Sequence, residues 1–191
     1  MGVHNFSNPN ERTKKFDIEK MWIHEEYERR YHQNDIALLR LSEKSTFTPI
    51  CLPSIYELFD HDDKGIVAGW GQTKDKDVSD VLQKVTLDIW KNSECAESIM
   101  SYYPDGSNAT NLICGFKPGH GSCSGDSGGA LICRSARPYL GRTHFALEAC
   151  GVVSRSPKCG HVFTPGVYTR VSEYIPWINN IVQNKTTAGE Q

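Results

Sequence analysis

The sequence lacks the features of several protein classes. No apolar run approaches the roughly 18 residues that a helix needs to span a bilayer. No run of lysine or arginine interrupts the 191 residues, and the net charge is −2, so we expect neither nucleic acid nor an acidic membrane surface as a partner. The first six residues contain no signal-peptide apolar region, and Phe6 departs from the myristoylation pattern.

Two metal-binding patterns are also absent. The seven cysteines include no Cys-x-x-Cys pair, and His24 and His32 do not have the His-Glu-x-x-His spacing of a zinc protease. We therefore expect no metal and no cofactor. Seven cysteines instead indicate a disulfide framework, which is typical of oxidising compartments. The sequence thus predicts a secreted, extracellular protein whose leader lies outside this chain.

Three N-glycosylation tripeptides agree with an exported surface, and they begin at Asn5, Asn108 and Asn184. Because the number of cysteines is odd, one thiol has no partner within the chain, which favours a bond to another polypeptide. With 38% apolar residues, the chain can bury a core as one large or two small domains.

The most informative stretch is Gly-Ser-Cys-Ser-Gly-Asp-Ser-Gly-Gly at residues 121–129. Four glycines in nine positions indicate a backbone that takes unusual dihedral angles or lets another group come close. In such a loop the amides of Gly125 and Ser127 can point at one place and stabilise a developing oxyanion, while the Ser127 hydroxyl acts as a nucleophile. A simple glycine–serine turn is the alternative.

A second informative stretch covers residues 34–39, where Asp35 immediately precedes a nearly unbroken apolar run. An acid at the rim of a hydrophobic core needs a polar partner, because an unpaired buried charge is costly. From the residues alone, Asp35 is either a turn or cap residue or part of a catalytic group.

From Gly65 onward, short β-rich runs alternate with Gly, Pro, Asn and Asp, which favours a barrel or sandwich over a helical fold. The pattern predicts a loop at residues 25–33 and a terminal helix around residues 177–182, followed by a frayed tail. Strands are predicted at residues 21–24, 66–71, 85–89, 130–133, 149–154 and 166–171.

Gly-Asp-Ser-Gly-Gly at residues 125–129 resembles the nucleophile loop of the trypsin/chymotrypsin family of serine endopeptidases, with Ala130 where the family usually has proline. Residues 34–39 resemble the family segment that supplies the catalytic aspartate. Further matches are Gly-Trp-Gly at residues 69–71, residues 165–168 and the tryptophan-bearing last helix, so the resemblance covers nearly the whole chain.

The resemblance implies an all-β fold of two antiparallel β-barrels of the chymotrypsin type, with the active site between them and a C-terminal α-helix. The first barrel is expected to be truncated, because the sequence starts after the family's activation N-terminus and its Ala-Ala-His-Cys segment. The implied divisions are an N-terminal barrel and link at residues 1–60, a C-terminal barrel with its helix at residues 61–183, and a flexible tail at residues 184–191.

The resemblance assigns Ser127 as the nucleophile and Asp35 as the triad acid, and it assigns the amides of Gly125 and Ser127 to the oxyanion hole. Gly121 takes the position at the base of the specificity pocket. Because glycine carries no carboxylate, an entering Lys or Arg side chain would be a desolvated charge, so we expect apolar or aromatic substrate residues there. The remaining substrate-binding positions are Ser122, Ser124, Ser154, Arg155, Ser156 and Gly166, and Arg155 stands where the family usually has tryptophan.

Family positions imply the disulfides Cys95–Cys114 and Cys123–Cys159. The family's usual partner of Cys133 falls at Gly65, so we infer a Cys133–Cys150 bond between neighbouring strands. Cys51 is left over. It lies in a segment that resembles the family's link between the barrels, whose cysteine commonly bonds to a light chain.

No residue of the sequence matches the catalytic histidine. In the family this base precedes the aspartate, and none of His4, His24 and His32 lies in a small-residue segment followed by cysteine. The later histidines, at residues 120, 144 and 161, are expected in loops near the cleft. We therefore expect this chain to be inactive alone.

Two main function classes stay open. One is an endopeptidase of a proteolytic cascade with peptide or protein substrates, and the other is a noncatalytic homologue that acts as a binding or cofactor module. A purely structural disulfide module is a third alternative.

Overall fold

The computed structural model describes residues 1–10, 12–55, 57–59, 63–102, 109–139, 142–156 and 158–186, with the backbone alone at 102, 137–139, 142–144 and 184–186. Within these residues the strands are β1 Ile18–Ile23, β2 Ala37–Leu41, β3 Lys64–Gly69, β4 Gln83–Ile89, β5 Leu112–Phe116, β6 Ala130–Tyr139, β7 Arg142–Arg155 and β8 Gly166–Arg170. The helices are α1 Asn92–Tyr102 and α2 Ile175–Thr186, and short 3₁₀ turns cover Ala109–Asn111 and Val171–Tyr174. No helix among the described residues is long and apolar enough to cross a membrane.

The strands form two antiparallel sheets. β1 and β2 pair only with each other, whereas six strands close a barrel in the order β3-β4-β5-β8-β7-β6. Closure removes the free edges of the barrel sheet, while each strand of the β1–β2 sheet keeps one edge unpaired within the described chain. The predicted fold class, a mostly β chymotrypsin-type fold with a terminal helix, is confirmed.

Two apolar clusters position the segment around Asp35. The barrel core includes Val67, Leu87 and Ile89, which alternate inward along β3 and β4 and are at most 2% exposed. The second cluster packs Ile36 against residues of the last 3₁₀ turn and α2, namely Val171, Tyr174, Ile175 and Ile178. Since Ile36 adjoins Asp35, this cluster attaches the acidic segment to the C-terminal end of the chain.

Each of the six predicted strand segments overlaps an observed strand, with shifted ends, but α1, β2 and β5 were not among the predicted elements. In β5 residues 112–115 are all buried, so the strand shows no period-two pattern. In α1 only Cys95 and Ile99 are fully buried, which is too few for a clear helical repeat. The predicted tail starts at residue 184, whereas α2 continues to Thr186; residues 187–191 lie outside the described chain.

Three disulfides join the inferred pairs, Cys95–Cys114, Cys123–Cys159 and Cys133–Cys150. The first ties α1 to β5, the second ties the loop before Ser127 to the segment after β7, and the third links β6 to β7. Cys51 is an exposed free thiol. Its carbonyl accepts a hydrogen bond from Ala149 N in β7 at 2.9 Å.

Candidate active site

Ser127 lies in a tight loop between the Cys123–Cys159 disulfide and β6. Asp126 N donates to Cys123 O at 3.0 Å and closes the first turn of the loop. Gly125 and Gly128 have φ angles of 95° and 80°, a region that favours glycine. The turn therefore requires these glycines, and it leaves Ser127 exposed.

The amides of Gly125 and Ser127 are uncommitted. Within the described chain neither N–H donates a hydrogen bond, whereas the amides of residues 126, 128 and 129 are all used in or beside the loop. Two available N–H donors next to an exposed hydroxyl are groups of the kind that can stabilise an oxyanion. Both amides that the sequence analysis expects in this role are therefore available within the described chain.

The Asp126 carboxylate organises the other side of the loop. Its Oδ1 accepts from Gly71 N and its Oδ2 from Cys123 N, each at 2.9 Å. A Cβ added at Gly71 would lie 2.5 Å from the Asp126 Cγ, so the Gly-Trp-Gly segment needs a glycine there. Asp126 forms no salt bridge with any residue of the described ranges.

A cavity of about 780 Å³ opens beside Asp126. The ammonium group of Met1 donates to Lys14 O at 2.6 Å and does not pair with Asp126. The cavity is lined by residues 67, 69, 71–75, 83–85, 119–123, 126 and 158–160. Of the predicted substrate-binding residues, Gly121 and Ser122 line this cavity, whereas Ser124, Ser154, Arg155, Ser156 and Gly166 do not.

Asp35 is held by the barrel. Ser154 Oγ donates to the Asp35 Oδ2 at 2.7 Å, and Thr169 Oγ1 donates to the Asp35 carbonyl at 2.8 Å. The pairing of β7 with β8 shifts register between Val153 and Arg155, which makes Ser154 a bulge residue. Because a bulge re-aims a side chain, Ser154, expected at the substrate pocket, contacts the candidate acid.

The residues before Asp35 are in unusual conformations that β7 and the last 3₁₀ turn stabilise. His32 and Asn34 have φ angles of 49° and 50°. Tyr174 Oη donates to Asn34 Oδ1 at 2.9 Å, and Arg155 Nη1 donates to the His32 carbonyl at 2.9 Å. Burial raises the pKa of Tyr174 to about 12, so its hydroxyl remains a donor even above pH 10.

Ser122 and Gly166 meet at Tyr168. Ser122 Oγ lies 3.2 Å from Tyr168 Oη, and a Cβ added at Gly166 would lie 3.0 Å from the same oxygen. Burial raises the pKa of Tyr168 to about 12. Sequence reasoning did not assign Tyr168 to the site, although the motif at residues 165–168 contains it.

The position of Gly121 is open, because the nearest atom to an added Cβ is Gly160 N at 3.8 Å.

The other two predicted substrate-binding serines make local contacts. The carbonyl of Ser124 accepts from Gln72 N at 2.8 Å, so its backbone ties the nucleophile loop to the segment after β3. Ser156 Oγ donates to Lys158 O at 2.9 Å within its own turn. Ser124 is exposed and Ser156 is half-buried.

The Ser127 hydroxyl forms no hydrogen bond with any side chain that the structure describes. His24 packs against the rings of Tyr174 and Trp177, and His120 lines the cavity. Two of the three expected loop histidines, His120 and His161, lie outside the strands, whereas His144 belongs to β7 and its side chain is not described. The residues that the structure describes contain no group of three or more His, Cys, Asp or Glu side chains that could hold a metal ion.

Known proteins match most of the chain. The chain is 36% identical over 171 residues to Serine protease grass of Drosophila melanogaster. This match covers 85% of the chain and 44% of that protein. It is 39% identical over 171 residues to CLIP domain-containing serine protease HP8 of Bombyx mori, and the match covers 84% of this chain and 44% of that protein. It is 34% identical over 184 residues to Complement C1s subcomponent of Sus scrofa, and the match covers 88% of this chain and 26% of that protein.

The chain thus spans less than half the length of each of these relatives. A profile of the family described as Trypsin matches residues 1–178, which include the nucleophile loop, the Asp35 segment and all eight strands. On this match, and on the geometry around Ser127, the chain belongs to the trypsin family of serine proteases.

Proposed function

We propose that this chain is part of a serine endopeptidase that hydrolyses peptide bonds through an acyl-enzyme on Ser127. The observation that carries the proposal is the exposed Ser127 hydroxyl beside two uncommitted amides, those of Gly125 and Ser127. Asp35, held by Ser154, is the acid that orients a histidine base.

The proposed reaction has two steps. Ser127 Oγ attacks the peptide carbonyl and gives its proton to the base, and the amides of Gly125 and Ser127 stabilise the tetrahedral oxyanion. Collapse expels the amine, which takes the proton, and water then hydrolyses the Ser127 ester by the same route. Since residues 1–191 include no Ala-Ala-His-Cys segment, we infer that the chain by itself has no general base and is inactive.

Asp126 and its cavity support an activation step. In the family this aspartate pairs with a newly cleaved amino terminus, and here the carboxylate adjoins a cavity of about 780 Å³. We propose that Asp126 accepts such an ammonium group in the active protein. Gly121, which lines the same cavity and carries no carboxylate, favours cleavage after apolar or aromatic residues.

The proposed setting is an extracellular proteolytic cascade. One of the similar proteins is named a complement subcomponent, and the three disulfides suit an oxidising compartment. The exposed Cys51 thiol is available for a disulfide to a light chain. The sequons at Asn5, Asn108 and Asn184 are candidate glycan sites, of which Asn108 lies outside the described residues.

A noncatalytic homologue is the second candidate, and the lack of a described side chain bonded to Ser127 Oγ favours it. The test compares the 191-residue chain with a version extended upstream through an Ala-Ala-His-Cys segment and then activated. We expect a fluorophosphonate to label Ser127, and peptides to be hydrolysed, only in the extended version, with Ser127→Ala as its blank. An extended protein that neither labels nor hydrolyses would favour the binding module.

A further inference from the structure

A second cavity, of about 420 Å³, is lined by Trp90, by one face of α1, and by Phe163 and Thr164, which precede β8. It shares no lining residue with the cavity beside Asp126, and Ser127 does not line it. Cavities of this size hold small ligands or single side chains. The proposed reaction therefore leaves this part of the molecule without a role.

The α1 face of the cavity is acidic. Glu94 and Glu97 are three residues apart, so they are neighbours on the helix surface, and both are exposed. Within the described chain neither carboxylate forms a salt bridge, and the last turn of α1 contains no basic residue. Because two neighbouring carboxylates repel each other, this face attracts a positively charged group.

Two aromatic rings also line the cavity. Phe163 is 80% exposed, so most of its ring is open to a partner. Trp90 is half-buried and packs on Phe116 with ring centroids 5.2 Å apart, which limits its movement. The face of an aromatic ring attracts a cation, and a planar guanidinium also stacks on it. The acidic and aromatic walls together therefore match an arginine side chain.

A buried hydroxyl at the cavity has no partner. Thr164 lines the cavity and is 5% exposed, yet its Oγ1 forms no hydrogen bond with any residue that the structure describes. A buried polar atom without a partner is costly, so an occupant that donates a hydrogen bond is favoured here. This observation does not depend on the two carboxylates, and it also indicates a hydrogen-bond donor as the occupant.

We propose that this cavity is a docking site for a partner polypeptide, which inserts one arginine side chain. A guanidinium has five N–H donors in one plane, so it can pair with Glu94 and Glu97, stack on Phe163 and donate to Thr164 Oγ1. Lysine has three donors and no planar face, so it satisfies fewer of these groups. The inference goes beyond the proposed function, because none of these residues takes part in the proposed reaction.

The test measures peptide binding to the 191-residue chain carrying Ser127→Ala, so that no peptide is cleaved. The probe is a short fluorescein-labelled peptide of glycine and alanine with one central arginine, and its binding is followed by anisotropy. Two further peptides carry lysine or citrulline in place of arginine; citrulline has nearly the same shape but no charge. We expect the arginine peptide to bind about 10-fold more tightly than the citrulline peptide, and more tightly than the lysine peptide.

Substitutions in the cavity should weaken the arginine peptide selectively. Glu94→Gln combined with Glu97→Gln is expected to weaken it by about 10-fold. Thr164→Val should weaken it by about 3-fold and leave thermal unfolding unchanged or raised, because it removes a hydroxyl that has no partner in the free chain. Glu19→Gln combined with Glu43→Gln is the matched control: it removes the same charge at exposed residues outside the cavity and should leave binding unchanged.

Equal affinities for the arginine and citrulline peptides would overturn the inference. Arginine binding that survives the double replacement in α1 would also overturn it, because the peptide would then lie elsewhere, for example in the cavity beside Asp126. N-acetylarginine amide that competes as strongly as the peptide itself would show a site for free cations instead of a polypeptide. The proposed function stands in all three cases, since labelling of Ser127 tests it separately.

Discussion

At the scale of single residues, the Asp126 carboxylate depends on two glycines, Gly69 and Gly71, because a Cβ at either position would clash with it. We predict that Gly71→Ala lowers the free energy of unfolding by about 2 kcal/mol, because its Cβ would lie 2.5 Å from Asp126 Cγ in a packed site. Urea denaturation measures the change. Gly121→Ala is the control, since the nearest atom to its added Cβ is 3.8 Å away, and an equal loss at both positions would contradict the explanation.

Two buried tyrosines make stability depend on alkaline pH. Burial raises the pKa of Tyr168 and of Tyr174 from 10.0 to about 12. Both phenols are neutral in the folded and unfolded chain below pH 10, so their contribution to stability is complete there. This contribution is lost as the pH rises from 10 through about 12, because in that interval the two phenols ionise in the unfolded chain and stay neutral in the folded one.

Urea denaturation at successive pH values measures this loss, and absorbance at 295 nm follows the ionisation. Tyr174→Phe should reduce the alkaline loss and should also lower stability by about 1 kcal/mol at neutral pH, because Asn34 Oδ1 loses the nearer of its two donors and keeps only Asn111 Nδ2 at 3.4 Å. An unchanged alkaline profile in this variant would contradict the assignment.

The roles proposed for Ser127 and Asp35 follow from the sequence because each residue lies in a short contiguous motif. Their supporting contacts could not be predicted in the same way. Asp35 meets Ser154 across 119 residues, and Asn34 meets Tyr174 across 140. Contacts of this range follow from the closure of the barrel and from a bulge, and neither leaves a local pattern in the sequence.

At the scale of the elements, the β6–β7 hairpin is closed by the Cys133–Cys150 disulfide. We predict that replacing both cysteines with alanine lowers the free energy of unfolding by about 3 kcal/mol, because the bond restricts a loop of 17 residues in the unfolded chain. Guanidinium denaturation measures the difference, and peptide mapping of the parent protein checks the pairing. A free Cys133 thiol, or a Cys133–Cys51 bond, would refute the assignment.

The predicted strands were those with alternating or bounded apolar runs, such as residues 85–89 in β4. β5 was not predicted because both faces of the strand are covered, so its residues show no alternation of apolar and polar side chains. The adjacent residues Ile113 and Cys114 are both completely buried. A strand of this kind resembles any short apolar run. Tertiary packing, not local sequence, therefore decides the structure of residues 112–116.

At the scale of the whole molecule, the β1–β2 sheet leaves apolar side chains in solvent. Met21 pairs with Leu39 and Ile23 with Ala37, and Met21, Ile23 and Leu39 are each more than half exposed. Exposed apolar side chains on a sheet with open edges promote association. We predict that the 191-residue chain self-associates in a concentration-dependent manner.

Sedimentation velocity over a concentration series measures this association. Met21→Thr combined with Leu39→Thr should shift the chain towards monomer. Met100→Thr on α1 is the control, because Met100 is also exposed, at 61%, but lies on a helix. Equal association of both variants would place the contact elsewhere.

The attachment of Asp35 to the barrel has a consequence for the timing of biosynthesis. Ser154 and Thr169, which bind Asp35, follow it by 119 and 134 residues. At ordinary translation rates these partners leave the ribosome on the order of 10 s after Asp35 does. Even a nascent chain that already displays Ser127 lacks both hydroxyls that fix the acid. Translation itself thus delays the fixing of Asp35 until synthesis of residues 1–191 is nearly finished.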